Sequence, residues 1–259
     1  LAITTVATHL DPTAEPTASL VTPLAVAEAF SAHLTALVFD AEPPASADPA
    51  AEERTIAAVR AAAERRGVAC EVRGRSSFAF GTGEVLADHL RVSDIGVLTC
   101  SATPAAGHRF LIGSAIFATG RPILLVPAAA PLAAPPRRIV VGWDASPAAV
   151  RAVHGALPFI TRAEATLVVS VTNDKDVRSG QSGIELTRLL ARHGAQAEFR
   201  TVPRQGSVLA SLAAAAPDAG ASLLVIGAVR HAPVRDLVFG GATRDLLERG
   251  PPVPTLLAA

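Results

Sequence analysis

The chain carries the same text twice. Arg66-Gly67-Val68-Ala69-Cys70-Glu71-Val72-Arg73 returns as His193-Gly194-Ala195-Gln196-Ala197-Glu198-Phe199-Arg200. Gly83-Glu84-Val85-Leu86-Ala87 returns as Gly206-Ser207-Val208-Leu209-Ala210, and Gly113-Ser114 as Gly240-Gly241. The order is kept and the offset stays near about 125 residues, far beyond the roughly 20–50 residues of a solenoid repeat. A period that long is a duplicated domain. Two copies of one fold can then be compared for the groups a ligand needs.

The 259 residues fit two domains of ordinary size, each able to bury a core. The repeats place them at 1–127 and 137–259, with a Pro/Ala-rich, stiff linker at 128–136. Half the residues are hydrophobic, yet the longest apolar runs (Leu223 to Val229, Ile123 to Pro127) are strand-sized, whereas a bilayer span needs about 20. No basic segment followed by an apolar one opens the sequence. Basic and acidic residues balance at 23 each with no Lys/Arg cluster, so neither membrane nor nucleic acid is an expected partner. Cys70 and Cys100 lack metal spacing, and the fold read below puts them on non-adjacent strands, which fits a reducing cytoplasm. The absence of Met and Tyr has no physical explanation here.

Each copy alternates β-branched runs with Ala-rich helical stretches, the pattern of βαβ units on a parallel sheet. In the second copy strands are expected at Arg138–Asp144, Ala165–Thr172, Ala197–Pro203, Ser222–Ala228 and Pro254–Ala258. Helices are expected at Pro147–Phe159, Ile184–Arg192, Ser207–Ala216 and Arg235–Arg249. Ser146-Pro147 reads as an N-cap followed by Pro at the first helical position. The first copy gives strands near Leu1–Thr8, His33–Asp40, Val68–Arg73, Ile95–Cys100 and Pro122–Pro127. Right-handed crossovers imply strand order 3-2-1-4-5 in each half, with ligands at the carboxyl ends where the order reverses, between the first and fourth strands.

At that point the second copy reads Val140-Val141-Gly142-Trp143-Asp144 and Leu223-Leu224-Val225-Ile226-Gly227-Ala228-Val229-Arg230, then Gly240-Gly241-Ala242-Thr243. These residues resemble the universal stress protein family, whose signature is Gly-x2-Gly-x9-Gly-Ser/Thr after strand four and an Asp closing strand one. The resemblance implies two tandem flavodoxin-like (adenine-nucleotide alpha hydrolase-like) α/β domains, each with a five-stranded parallel sheet and helices on both faces. It implies ATP or ADP at the second switch point, with Mg²⁺ alongside. Asp144 would face adenine or ribose, the backbone near Val171 the adenine edge, and Gly227, Gly240, Gly241 and Thr243 the phosphates. Glycines suit this because backbone amides approach phosphate without a Cβ between, and a helix N-terminus favours an anion. The final strands of the halves would pair across the domain interface, and two chains would pair again as a homodimer.

The departures matter as much. Arg230 stands at the second signature glycine, where it either fills the phosphate space or reaches over it as a cation. Gly241 replaces the Ser/Thr, at a cost of about 1 kcal/mol if that hydroxyl bond was made. In the first copy the frame reads Cys100-x2-Thr103-x9-Gly113-Ser114, with Thr8 or His9 where Asp144 stands, so that copy is expected to be degenerate and empty. Each residue has a structural alternative. Asp144 either opens an Asx-turn or meets a ligand, and Gly227 either makes a turn or admits one. A glycine pair inside a helix costs about 2 kcal/mol and needs close packing or a ligand to explain it. Arg230 and His231 suit a solvated loop, Trp143 packing, and Cys100 a buried structural thiol. No Walker lysine, nucleophile elbow or metal spacing is present. The expected function is a cytoplasmic stress-response protein binding adenine nucleotide without fast turnover. The alternatives are an adaptor acting through protein contacts, or a slow ATP hydrolase.

Overall fold

The computed structural model describes residues 2–41, 48–74, 82–172, 178–228, 230–231, 238–239 and 241–259. In the first half the elements are β1 (Thr5–Leu10), α1 (Pro16–Phe30), β2 (His33–Val38), α2 (Pro49–Arg65), β3 (Cys70–Gly74), α3 (Thr82–Arg91), β4 (Ile95–Cys100), α4 (Ala106–Ala118) and β5 (Ile123–Pro127). The second half continues with β6 (Arg138–Gly142), α5 (Pro147–Ile160), β7 (Ala165–Thr172), α6 (Arg178–Arg192), β8 (Ala197–Pro203), α7 (Val208–Asp218) and β9 (Leu223–Gly227). A short ribbon of β10 (Arg230–His231) and β11 (Val238–Phe239) precedes α8 (Gly241–Arg249) and β12 (Thr255–Ala258).

The strands form one ten-stranded sheet of order β3-β2-β1-β4-β5-β12-β9-β6-β7-β8. Each half contributes the 3-2-1-4-5 order read from the sequence, so the fold is α/β and flavodoxin-like in both. Within a half every pairing of this sheet is parallel. The join is different: β12 lies antiparallel to β5, with Thr255 opposite Leu125, Leu256 opposite Leu124 and Leu257 opposite Ile123. Two edges that would each expose unpaired N–H and C=O groups are thereby removed.

Apolar side chains cover both faces. One core layer gathers Leu24 and Val26 of α1, Val59 and Ala63 of α2, Val153 and Leu157 of α5 and Leu190 of α6. The other gathers Leu86 and Leu90 of α3, Ile112 and Ile116 of α4, Leu212 of α7 and Leu246 of α8. Each layer runs through both halves. Across the seam the Phe30 ring meets Phe159 edge-on at 5.2 Å, and the Arg162 guanidinium stacks 3.9 Å above Phe30 while donating to the Ala29 carbonyl. Gly155 sits where a Cβ would lie 2.8 Å from Pro122 Cβ, so only glycine lets α5 approach the chain entering β5. Residues between β5 and β6 form no helix or strand; Leu132 is buried and donates its N–H to Thr22 Oγ1 of α1.

The expected elements are present, but the first strand runs Thr5–Leu10 where Leu1–Thr8 was expected, and α6 starts at Arg178 where Ile184 was expected. One further helix start is corrected. A helix expected from Arg235 begins only at Gly241, because Val238 and Phe239 pair with His231 and Arg230 in the ribbon. A β-branched and an aromatic residue favour that pairing over helix. Gly241 therefore opens a helix instead of interrupting one, and the propensity cost expected of a mid-helix glycine does not arise there. Its repeat partner Ser114 does lie inside a helix, α4. Ser146 caps α5 as expected, its Oγ accepting from Ala149 N–H at 3.1 Å.

Because β12 is shared between β5 and β9, the halves should unfold together. Leu256→Ala, at a fully buried seam position, is expected to cost about 2–5 kcal/mol and keep a single urea transition. Two separated transitions, with only the later one moved by the substitution, would refute this coupling.

Candidate functional site

The sheet ladders fix which residues of the two halves correspond. Val6 faces Ile95 in the first half as Ile139 faces Leu223 in the second. Thr5 faces His33 as Arg138 faces Ala165. Carried along the strands, this sets His9 on Gly142, Asp11 on Asp144, Phe39 on Val171 and Thr99 on Gly227.

In the second half β6 runs on past its last paired residue: Trp143 N–H donates to Val169 O at 2.8 Å, and Ser170 Oγ donates to Trp143 O at 2.7 Å. The chain then turns at Asp144, whose Oδ1 accepts from Ser146 N–H at 2.9 Å. This is an Asx-turn, and the carboxylate above it is exposed. Ala145 closes the turn with φ of 59°, a left-handed conformation costing about 1 kcal/mol or more for a residue with a Cβ. Val169 points its carbonyl at β6, so by strand alternation Val171 points its N–H and C=O the same way, beyond the end of β6. No described residue is bonded to the Val171 carbonyl.

Gly227, at the end of β9, has a packing role. A Cβ there would collide with Ala149 N and with the backbone and Cβ of Ala148, so the first turn of α5 rests directly on this glycine. Thr243 is buried within α8. Arg230 belongs by its backbone to the ribbon between β9 and α8; its side chain and all of Gly240 lie outside the described residues. Gly241 is the first residue of α8.

The first half keeps more than its sequence suggested. Asp11, not Thr8 or His9, stands where Asp144 does, and it makes the same turn: its Oδ1 accepts from Thr13 N–H at 2.9 Å. The acid was misplaced because the strand continues through two buried polar residues, Thr8 and His9. Thr8 is satisfied by donating to Val97 O at 2.8 Å. His9 does something else. Its Nε2 donates to the Phe39 carbonyl at 2.8 Å, its ring lies 4.3 Å from the Phe39 ring, and His108 of α4 meets it edge-on at 6.3 Å. His108 is fixed by donating from Nε2 to Thr99 O at 3.0 Å. The carbonyl corresponding to Val171 is thus taken by the protein's own imidazole. Sequence reading missed Phe39 and His108, which the topology alone brings to His9; the 3-2-1 strand order does place the ends of β1 and β2 side by side.

A separate open cleft of about 510 Å³ runs along α6, lined by Trp143, Gln181, Ser182, Glu185, Leu186 and Leu189. Trp143 Nε1 donates to Ser182 Oγ at 3.0 Å, and its ring packs on the core layer of α5 and α6. That is the packing role expected of it. Cys100 is buried, and burial pushes its thiol up to about 11, as it does for Cys70, so neither is a thiolate near neutral pH.

Neither a protein-family model nor a curated protein matches the chain. Solved structures do. A universal stress protein from Archaeoglobus fulgidus DSM 4304 superposes with TM-score 0.71 at 14% identity, over 97% of this chain and 97% of that one. A chain of Pseudomonas aeruginosa UCBPP-PA14 ascribed to the same group gives TM-score 0.61 at 14% identity, over 99% of this chain and 93% of that one. The cytoplasmic domain of a prokaryotic cation chloride cotransporter gives 0.52 at 13% identity, over 100% of this chain and 96% of that one. The tandem fold of these proteins is the fold of this chain.

Burial pulls His9 down from 6.5 to about 4; His108 acts the same way, against the Phe39 bond and the Asp11 carboxylate. The unfolded chain therefore binds this proton at a higher pH than the folded chain does. Stability is full above pH 6.5, falls as the pH drops towards 4 and levels off below, a loss of about 3 kcal/mol. His9→Gln keeps a donor for Phe39 and is expected to remove that part of the loss. Urea unfolding of both proteins at neutral pH and at pH near 4 checks it; equal losses would refute it.

Proposed function

We propose that this chain is a tandem universal stress protein whose second half binds an adenine nucleotide at the carboxyl ends of β6, β7 and β9, without fast turnover. One contrast carries the reading. The Phe39 carbonyl of the first half is occupied by His9, while its counterpart Val171 points past β6, where Gly142 has no side chain to reach it. Asp144 stands exposed beside it, held by the strained Ala145 turn. Strain of this kind, kept at a strand end facing an open site, is typical of ligand-holding loops.

In this reading the base stacks near the turn, with Asp144 towards the ribose or base and the Val171 backbone at the adenine edge. The phosphates extend towards Arg230, Gly240 and the first turn of α8 at Gly241, whose amides favour an anion. Mg²⁺ would be held by phosphate oxygens; among the described residues no group of three His, Cys, Asp or Glu is placed to hold it. No helix among the described residues is long and apolar enough to cross a membrane. A cytoplasmic stress-response role follows from the family reading.

A second reading has its own support. Gly227 is taken up by α5, so that signature glycine does not by itself require phosphate. The same fold also serves as the cytoplasmic domain of a transporter. Both favour a module that works through protein contacts alone. Calorimetric titration with Mg-ATP separates the two. Saturable heat that weakens about tenfold in Asp144→Ala is expected if nucleotide binds. No heat at high protein concentration would leave the adaptor reading. Arg230→Gly reports on the ribbon: tighter binding means the arginine obstructs phosphate, weaker binding means it clamps it. Phosphate release at several turnovers per minute would point instead to a hydrolase.

A further inference from the structure

The seam removes two edges of the sheet and leaves two, β3 and β8. Both carry the repeated text met at the start: Glu71-Val72-Arg73 on β3 and Glu198-Phe199-Arg200 on β8. Their charges are used differently. On β3 Arg73 holds Glu71 through two bonds, Nε to Oε1 at 2.9 Å and Nη2 to Oε2 at 3.1 Å, and places Nη1 2.8 Å from His89 Nε2. On β8 Glu198 and Arg200 are both exposed, and neither side chain has an ion pair or hydrogen bond among the described residues. We propose that β8 is a self-association edge, pairing antiparallel with β8 of a second copy of this chain about a twofold axis through Phe199.

The register follows from the backbone. Gln196 O accepts from Thr166 N–H of β7, so residue 196 and those at two-residue steps from it face β7. Ala197, Phe199 and Thr201 therefore direct their N–H and C=O groups outward. Pro203 has no N–H and ends the usable edge. An axis at Phe199 makes 199 with 199 and 197 with 201 the hydrogen-bonded pairs, about six N–H···O bonds in all. Glu198 then falls opposite Arg200 of the second copy, twice, in the non-bonded pairs where side chains come closest. An axis at Arg200 would set Arg200 against Arg200, and one at Glu198 would set Glu198 against Glu198. The charges thus select one register out of the neighbouring ones. The outward backbone groups, which no described residue pairs, are satisfied in the same arrangement.

A head-to-tail rival exists, β8 of one copy on β3 of the next, and it would grow without closing. The β3 charges are already engaged with each other and with His89, which disfavours it. The twofold arrangement closes at two chains. It holds whether or not nucleotide binds in the second half.

Sedimentation velocity of the full chain over a rising concentration series tests this. The expected result is a monomer–dimer equilibrium that goes no further. Arg200→Glu is expected to raise the dissociation constant about tenfold or more, and Glu198→Arg likewise, because each puts like charges opposite one another. Mixing these two variants in equal amounts should restore dimers, and so should the exchange of both charges in one chain. The last result is specific, since exchanging the β8 charges would abolish pairing with an unaltered β3. A chain that stays monomeric throughout overturns the proposal. So does a dimer indifferent to Arg200→Glu, failure of the exchanged chain to recover, or polymers growing beyond two chains.

Discussion

The antiparallel pairing of β12 with β5 is the constraint on which the rest of the molecule rests. Each half alone is a parallel sheet whose fifth strand would present an open edge. Joining the two edges turns a duplication into one sheet, with Leu256 fully buried between Leu124 and Val225. The helices then have to meet across the seam as well. Phe30 on Phe159, Arg162 over Phe30, and the glycine that lets α5 reach Pro122 are consequences of that geometry. The same pairing decides which edges remain: among the described residues, β3 and β8 end the sheet.

Within this frame the two switch points differ in the segment after the fourth strand, where only the second half has a ribbon, and at the end of the first strand. Both retain the aspartate and its Asx-turn, so loss of the acid is not what separates them. The difference is the residue two places before it. Glycine at 142 leaves Leu212 of α7 packed over the strand and no described residue bonded to the Val171 carbonyl. Histidine at 9 supplies a donor of the right length for the Phe39 carbonyl and a ring to stack on Phe39. Burying an imidazole there costs the protein its charged form, and the neighbouring His108 deepens that cost. A satisfied internal hydrogen bond is hard for an incoming ligand to displace, since the ligand must replace it and leave His9 with a new partner.

Much of this was legible before any coordinates. Strand order and the Ser146 cap follow from periodicity, Gly/Pro punctuation and the duplication, while the seam was implied by the family resemblance. The ribbon at 230–231 and 238–239 was not, because two-residue strands carry no period to read. The register of the first strand was missed for a different reason. Thr8 and His9 look like the end of an apolar run, yet both are buried and hydrogen-bonded. Hydropathy marks where a strand turns polar, not where it stops, whenever polar side chains find partners inside. That slip of two residues hid Asp11. The β8 edge shows the opposite limit. The expected strand order already put β8 at an edge, but which of its charges lack a partner among the described residues shows only in the structure.

Gly227 ties these observations together. Its lack of a Cβ lets the first turn of α5 sit on β9, whereas Thr99 occupies the matching position in the first half. The connection from Asp144 to Pro147 is shorter than that from Asp11 to Pro16, so α5 begins fewer residues after its strand than α1 does. The short connection also forces Ala145 into its left-handed conformation, while no residue from Asp11 to Pro16 has a positive φ. Tight loop, strained alanine and collision-avoiding glycine are therefore one feature, fixed by chain length between strand and helix. Its effect is to set the exposed Asp144 carboxylate, through its bond from Ser146 N–H, beyond the β6 end. A longer loop would relieve Ala145, free position 227 to carry a side chain, and let the aspartate drift. The second half keeps the costly arrangement and the first half has relaxed it, which is the pattern expected if only one of the two strand-end sites is still under functional demand.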